Sequence, residues 1–217
     1  MVAKPRDLDA PLLAATLTPH DTLELVDDFD IDDALLERSP VLGDSGRGGR
    51  LRFSLLRDLS LAEKRLDNLT MTDVRLERVD LTAARLTKAA LQRITLTDCR
   101  CLALDLAEAN LLGVRFANCS IEMANLRFVR LKRVVFERCA LRSIDFGNAA
   151  LVEVIFKDCQ LEDADFGGAH LQDVSLVGST LQGVKGIADL RGATMTVDQF
   201  IDLAPALAAE LGIQLEM

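Results

Sequence analysis

From Leu51 to Leu181 every fifth residue of this 217-residue chain is apolar, giving 27 consecutive positions without a gap. With 49% of the chain hydrophobic, chance would produce such a run in one register on the order of once in 10⁸ trials. The residue two places earlier is apolar as well, and usually small. That column runs from Leu69 to Val184 and is broken only by Ser179. A period of five fits neither the 3.6 residues of a helical turn nor the two-residue alternation of a long strand.

A slower period explains the faster one. Sorted in steps of twenty, the pentads fall into four families. One pairs Val74, Ile94, Val114, Val134, Val154 and Val174 with Leu76, Leu96, Phe116, Phe136, Phe156 and Leu176. A second aligns Cys99, Cys119, Cys139 and Cys159. A third sets Ala84, Leu104, Ala124, Ile144 and Ala164 beside Leu86, Leu106, Leu126, Phe146 and Phe166, and the fourth sets Ala89, Ala109, Val129, Ala149 and Ala169 beside a Leu column. If four pentads close one turn of a square coil, like residues stack on like and each coil buries its neighbour's inner face. Twenty residues then measure a coil and five measure a side.

Segments such as Cys139-Ala-Leu-Arg-Ser, Ala149-Ala-Leu-Val-Glu, Ala164-Asp-Phe-Gly-Gly and Ala109-Asn-Leu-Leu-Gly resemble the A-(D/N)-L-x-x unit of the pentapeptide-repeat family. The resemblance covers about Leu51 to Val184 and implies an all-β solenoid, a right-handed quadrilateral β-helix. The acidic or amide residue of the unit stands at Asp80, Asp105, Asn110, Asn125, Asp145 and Asp165, while Arg, Ser, Thr or Ala mostly stands there elsewhere. Inner positions hold throughout, so corner turns are expected to vary in type while the fold does not. Six to seven coils at about 4.8 Å each predict a rod about 30 Å long.

The ends read differently. Residues 1–50 carry five basic and eleven acidic residues, with Pro5, Pro11, Pro19 and Pro40 and the loop Gly43-Asp-Ser-Gly-Arg-Gly-Gly49; they are expected to form an acidic arm or cap followed by a flexible joint. The repeat region is expected over 51–187 and a helical cap over 188–217. There, Thr196-Val-Asp-Gln199 is a capping-box pattern opening an amphipathic run, Pro205 should kink it or begin a second helix, and Gly212 suits its end. Ile213 and Leu215 could add a terminal strand. Phe200, Ile201, Leu203, Leu207 and Leu211 are the candidate dimer contacts, because this run holds more apolar surface than one coil end can cover.

Catalytic and metal chemistry find no footing. Four thiols stacked in a ladder would span about 14 Å, and no single ion with bonds near ~2.3 Å holds such a row. The five cysteines read as packing thiols. His20 and His170 have no nucleophile placed beside them by any motif. Asp28, Asp30 and Asp32 have the spacing of a calcium loop, but Asp33 replaces its glycine and Ser39 its closing glutamate. Catalytic residues, cofactor and metal are all expected to be none.

The net charge is −9, and it is sorted along the chain. Residues 51–144 hold 17 basic and 11 acidic residues, residues 145–190 two and eight. Asp145, Glu162, Asp163, Asp165 and Asp173 form a candidate patch for a basic partner, and Arg127, Arg130, Lys132, Arg133 and Arg138 could meet an acidic one. No run approaches the ~20 apolar residues of a membrane span, and Met1 to Arg6 leads into Asp7 and Asp9 rather than an apolar signal, so a cytoplasmic protein is expected. Direct nucleic-acid binding is not expected, for want of stacking aromatics. The function expected is a non-enzymatic scaffold or adaptor for a protein partner. The alternative comes from the resemblance: quinolone-resistance members mimic duplex DNA and engage DNA gyrase as dimers joined through C-terminal helices. The basic stretch 51–144 counts against that alternative.

Overall fold

The computed structural model describes residues 10–214, which wind into a parallel β-solenoid of about nine turns closed by one C-terminal helix. Coils pair twenty residues apart through the body of the rod: Leu51 with Met71, Val74 with Ile94, Phe116 with Phe136, Leu151 with Leu171. The step is shorter at the ends, sixteen for Thr18 with Ala34 and nineteen for Val174 with Ala193. Leu, Phe, Ile, Val, Ala and Cys from the inner columns form one continuous core along the axis.

The solenoid therefore begins near Thr18 rather than Leu51, and the expected arm and joint are corrected. Asp30–Asp32 pairs with Arg50–Arg52, and Ala34–Glu37 pairs with both Thr18–Pro19 and Leu55–Arg57. The five-residue register in fact extends upstream through Leu36 and Ile31, but Gly46 interrupts it. The ring of Phe29 fills the space that an inner leucine would occupy there: a Cβ added to Gly46 or Gly49 would fall 2.7 or 2.2 Å from it. The glycine loop is thus a coil side built around an aromatic plug. Nine steps of ~4.8 Å make the rod about 43 Å long, not 30 Å.

Two sides of the coil are pleated and two are turned. Strands Thr70–Glu77, Ala90–Thr97, Arg130–Glu137 and Ala150–Lys157 run over the sides of the fourth and first pentad families. The sides of the second and third families join their neighbours through single bridges such as Asp80↔Arg100 and Asp145↔Asp165. Side chains before the central residue reinforce the turn on several of these sides. Asp80, Asp105, Asn125, Asp145 and Asp165 each accept a hydrogen bond from the amide two residues on, at 2.7–3.2 Å, which tightens the side into a turn. Asn110 lies in a strand and makes no such bond among the described residues.

Every corner turns the same way. From Asp28 to Gly183 each fifth residue has positive φ, 32 in succession, and none of them is Val, Ile, Thr or Pro. Left-handed backbone excludes β-branched side chains and costs an ordinary L residue about 1–2 kcal/mol relative to glycine. Ala103, exposed and at φ +52°, is one such site. Ala103→Gly is expected to raise stability by up to about 1 kcal/mol in chemical denaturation, after the greater chain entropy of the unfolded glycine form is subtracted.

The buried polar groups follow the same stacking logic. The thiols of Cys99, Cys119, Cys139 and Cys159 each donate to the carbonyl 23 residues earlier at 3.4–3.6 Å, and Ser179 extends the row by donating to Phe156 and accepting from the amide of Cys159. The serine that breaks the apolar column is satisfied in place. The thiols are buried and unpaired to one another, and burial pushes Cys101 well above its usual range.

At the corner between the two pleated sides, Asp73 is fully buried. Arg93 grips it through two contacts of 2.7 and 2.5 Å, and the amide of Leu12 donates to it at 3.0 Å as the N-terminal segment crosses the rod. The Arg93 hydrogen bonds hold the Asp73 carboxyl below its usual range against the opposing effect of burial, with the Leu12 amide assisting. A depressed folded value means the contribution is complete above the unfolded value of about 3.8 and is lost as pH falls below it. Asp73→Asn is expected to lose about 2 kcal/mol at neutral pH and to flatten the acid limb of the stability profile.

Candidate interaction surfaces

The C-terminal helix, Val197–Glu210, begins at Thr196, whose hydroxyl accepts from the amide of Gln199 while the Gln199 side chain accepts from Thr196. The same Gln199 donates to the carbonyls of Leu176 and Ser179 at 2.8 and 2.7 Å, fastening the helix to the last coil. Glu210 accepts from the amides of Ile187 and Ala188, closing the other end. Gly212 at φ +71° ends the helix, with its amide donating to Ala209 and that of Ile213 to Ala208, the paired bonds of a Schellman stop.

Pro205 neither kinks the helix apart nor starts a second one; the helix runs through it. The hydrogen bond it removes is that of the Ile201 carbonyl, on a residue exposed to solvent, where the loss costs little. Ile213 forms no strand, and Leu215 lies outside the described residues.

The five candidate dimer contacts separate into two faces. Leu203 is buried against the core and Leu207 packs beside it, so these two belong to the cap. Phe200, Ile201 and Leu211 point outward, 52–60% exposed, together with Val197 and Ile213.

The acidic candidates separate too. Asp163 and Asp173 are ten residues apart, half a coil, and so occupy opposite corners. Asp145 is held by Arg127 at 3.2 Å and Glu162 by Arg142 at 2.6 Å. Asp163, Asp165 and Asp173 make no ion pair among the described residues.

Such vertical pairing is the rule on this rod. Arg78 meets Asp58, Lys64 meets Asp44, Lys157 meets Glu137 and Arg52 meets Asp32, each one coil apart, at 2.6–2.8 Å. The aspartates of the calcium-like segment are engaged likewise, Asp30 and Asp32 by Arg52 and Asp27 by Ser45 and Arg47. Of the basic candidates, Arg127 and Arg138 are paired to Asp145 and Glu137, whereas Arg130, Lys132 and Arg133 are exposed and form no ion pair among the described residues. Beside them Phe128 is 53% exposed at a left-handed corner, with the Arg127 guanidinium 5.6 Å from its ring centre. Phe128 was not singled out from the sequence, although its place in the corner column marks it as outward. His170 is exposed, with Nδ1 3.1 Å from the Gly168 carbonyl.

These features define a repeat protein whose interior is occupied by its own stacked side chains and whose exterior displays them. A family model described as a pentapeptide repeat region matches residues 69–146 and 113–185, together more than half of the chain. The chain belongs to the pentapeptide-repeat family. Among solved structures, a trypsin-treated form of QnrB1, described as a plasmid-mediated fluoroquinolone resistance protein, is 15% identical, with 92% of this chain and 100% of that one covered and a TM-score of 0.46. HetL, a pentapeptide repeat protein involved in heterocyst differentiation regulation from the cyanobacterium Nostoc sp. strain PCC 7120, is 18% identical over 81% of this chain and 91% of that one, with a TM-score of 0.33. A pentapeptide repeat protein of the Arabidopsis thaliana thylakoid lumen is 19% identical over 53% and 70%, with a TM-score of 0.32. No curated protein matches the chain. No helix among the described residues is long and apolar enough to cross a membrane.

Proposed function

We propose that the chain is a non-enzymatic scaffold that binds protein partners and dimerises through its C-terminal helix. The observation that carries the reading is the outer face of that helix, where Val197 at 74%, Phe200 at 52% and Ile201 at 60% exposure stand on its first turns, with Leu211 and Ile213 exposed at its far end, while the inner face already seals the rod. A contiguous apolar face left after the cap is complete marks a surface made to be covered. A second copy fits it, because a two-fold interface presents the same apolar face from both sides. Light scattering should give a dimer for the full chain and a monomer for Phe200→Asp/Ile201→Asp; a monomer in both removes the dimer. Photo-cross-linkers placed at Gln172 and at Thr95, exposed or half-exposed on the rod, should yield discrete adducts with another protein in cells. Self-adducts alone would overturn the scaffold.

A second reading, an acidic DNA mimic that binds DNA gyrase and modulates quinolone sensitivity, is favoured by Asp163 and Asp165, which make no ion pair among the described residues and lie toward the C-terminal end of the rod. Unchanged gyrase supercoiling at stoichiometric protein excludes it, and loss of an effect on Asp163→Lys/Asp165→Lys would establish it.

A further inference from the structure

We propose that the coil containing Phe128 and Arg130–Arg133 is a docking surface for an acidic peptide segment of a partner protein, one in which carboxylates flank an apolar residue. The inference rests on the scaffold reading and names the partner chemistry.

The first ground is unbalanced charge. Fifteen of the described Lys and Arg side chains reach a carboxylate, mostly in the coil above or below. Those that do not are scattered, except Arg130, Lys132 and Arg133, which share one side of one coil. Their stack neighbours offer almost no counter-charge: Asn110 and Ala150 flank Arg130, and Leu112 and Val152 flank Lys132. Glu153 stands next to Arg133 in its column and yet makes no ion pair with it. The cations are thus bordered along the stack by half-buried Leu112, Val152 and Ala150, a basic strip with apolar margins.

The second ground is the corner beside them. Phe128 has φ +58° and Met123, at the other corner of the same side, φ +54°. Both hold large apolar side chains in water, 53% and 60% exposed, at positions where glycine or asparagine would be less strained and would hide no apolar surface. Asn68, Asn118 and Asn148 occupy such corners elsewhere. Arg127, anchored by Asp145, sets its guanidinium against the Phe128 ring, which stays 53% exposed. An aromatic anchor beside desolvatable cations is the composition of a binding hot spot.

Charge and size select the occupant. The chain carries −9 overall, and Glu108, Asp145 and Glu153 surround the patch, so a long phosphate backbone is repelled on both flanks. One ring cannot stack successive bases. A short acidic segment can meet the three cations and place an apolar residue on Phe128 while crossing fewer of those carboxylates than a long polyanion would.

The test uses the full chain and a fluorescein-labelled peptide, Glu-Glu-Leu-Glu-Glu-Leu-Glu-Glu, followed by anisotropy, with its Gln-for-Glu analogue and an oligothymidine as comparisons. Saturable binding to the acidic peptide is expected, weakened by salt. Arg130→Glu/Lys132→Glu/Arg133→Glu should weaken it about tenfold or more. Phe128→Asn should also weaken binding while raising the thermal midpoint, a combination that a purely structural residue does not give. Absence of binding by the acidic peptide, equal affinity of the native chain and the triple variant, equal binding of the Gln analogue, or preference for oligothymidine would each overturn the proposal. The scaffold reading is judged separately, by the cross-links.

Discussion

Phe136→Ala is expected to lose about 3–5 kcal/mol of stability, because the ring lies inside a three-ring stack whose walls cannot collapse. Its centroid is 4.8 Å from that of Phe116 and 5.0 Å from that of Phe156, with the planes within 8° and 3° of parallel. Phe156 in turn meets Phe146 and Phe166 edge-on, so one removal disturbs both stacks. The backbone around the cavity is tied to the coils above and below by parallel pairing, which holds the void open. Arg138→Ala is the matching control: its side chain is half-exposed and bound to Glu137 and Asn118, interactions worth roughly 0–1 kcal/mol at a surface. Equal losses for the two variants in denaturant titrations would contradict the assignment of inside and outside.

A larger effect separates two deletions. Removing Val114–Arg133 joins Gly113 to Val134 and returns every later residue to its own column, because Gly113 and Arg133 occupy equivalent left-handed corners. The product should be a folded rod one coil shorter, without the Phe128 surface. Removing only Val114–Ser120 shifts every later inner side chain out of its column, and with it the corner residues that tolerate positive φ. That chain should fail to fold beyond the cut, losing most of its circular dichroism and its cooperative transition. Similar transitions in the two deletions would show that register does not organise the molecule.

The body of this fold was legible because its two constraints repeat. Inner residues such as Leu76, Phe136 and Leu151 recur at five and twenty, and the stack they imply is the one observed. Coils before Leu51 were missed because Gly46 breaks the apolar clock and the compensating ring, Phe29, comes from 17 residues upstream. A second column could have found them: the corner residues Asp28, Asp33, Arg38, Gly43 and Gly48 lack β-branched side chains, as do all the corners that follow. The C-terminal helix was legible in its cap and stop, but not in its faces. Leu203 and Leu207 differ from Phe200 and Ile201 only in where the last coil lies, and that is fixed by Gln199 reaching Leu176 and Ser179.

Surface sites were read less completely, and for a physical reason. Net charge along the chain counts residues, whereas pairing between coils decides which charges remain active. Asp145 and Glu162 lose theirs to Arg127 and Arg142, and Asp173 turns to the opposite corner from Asp163. Conversely, of the five basic residues picked out from the sequence, Arg130, Lys132 and Arg133 separate from Arg127 and Arg138 only once the columns show Asn110, Leu112 and Gly113 on one side and Ala150, Val152 and Glu153 on the other.

Arg52 and Gln172 lie in one outward column, linked by successive pairings through residues 72, 92, 112, 132 and 152. The native cysteines are at most 2% exposed, so cysteines introduced at these two positions can be spin-labelled selectively. Six coil steps predict a narrow distance distribution centred near 29 Å, plus the reach of the labels, for residues 120 apart in sequence. A rigid display scaffold keeps that distance when the acidic peptide binds. A broad distribution, or one that shifts by more than a coil step on binding, would contradict a stacked rod that presents its surface without changing shape.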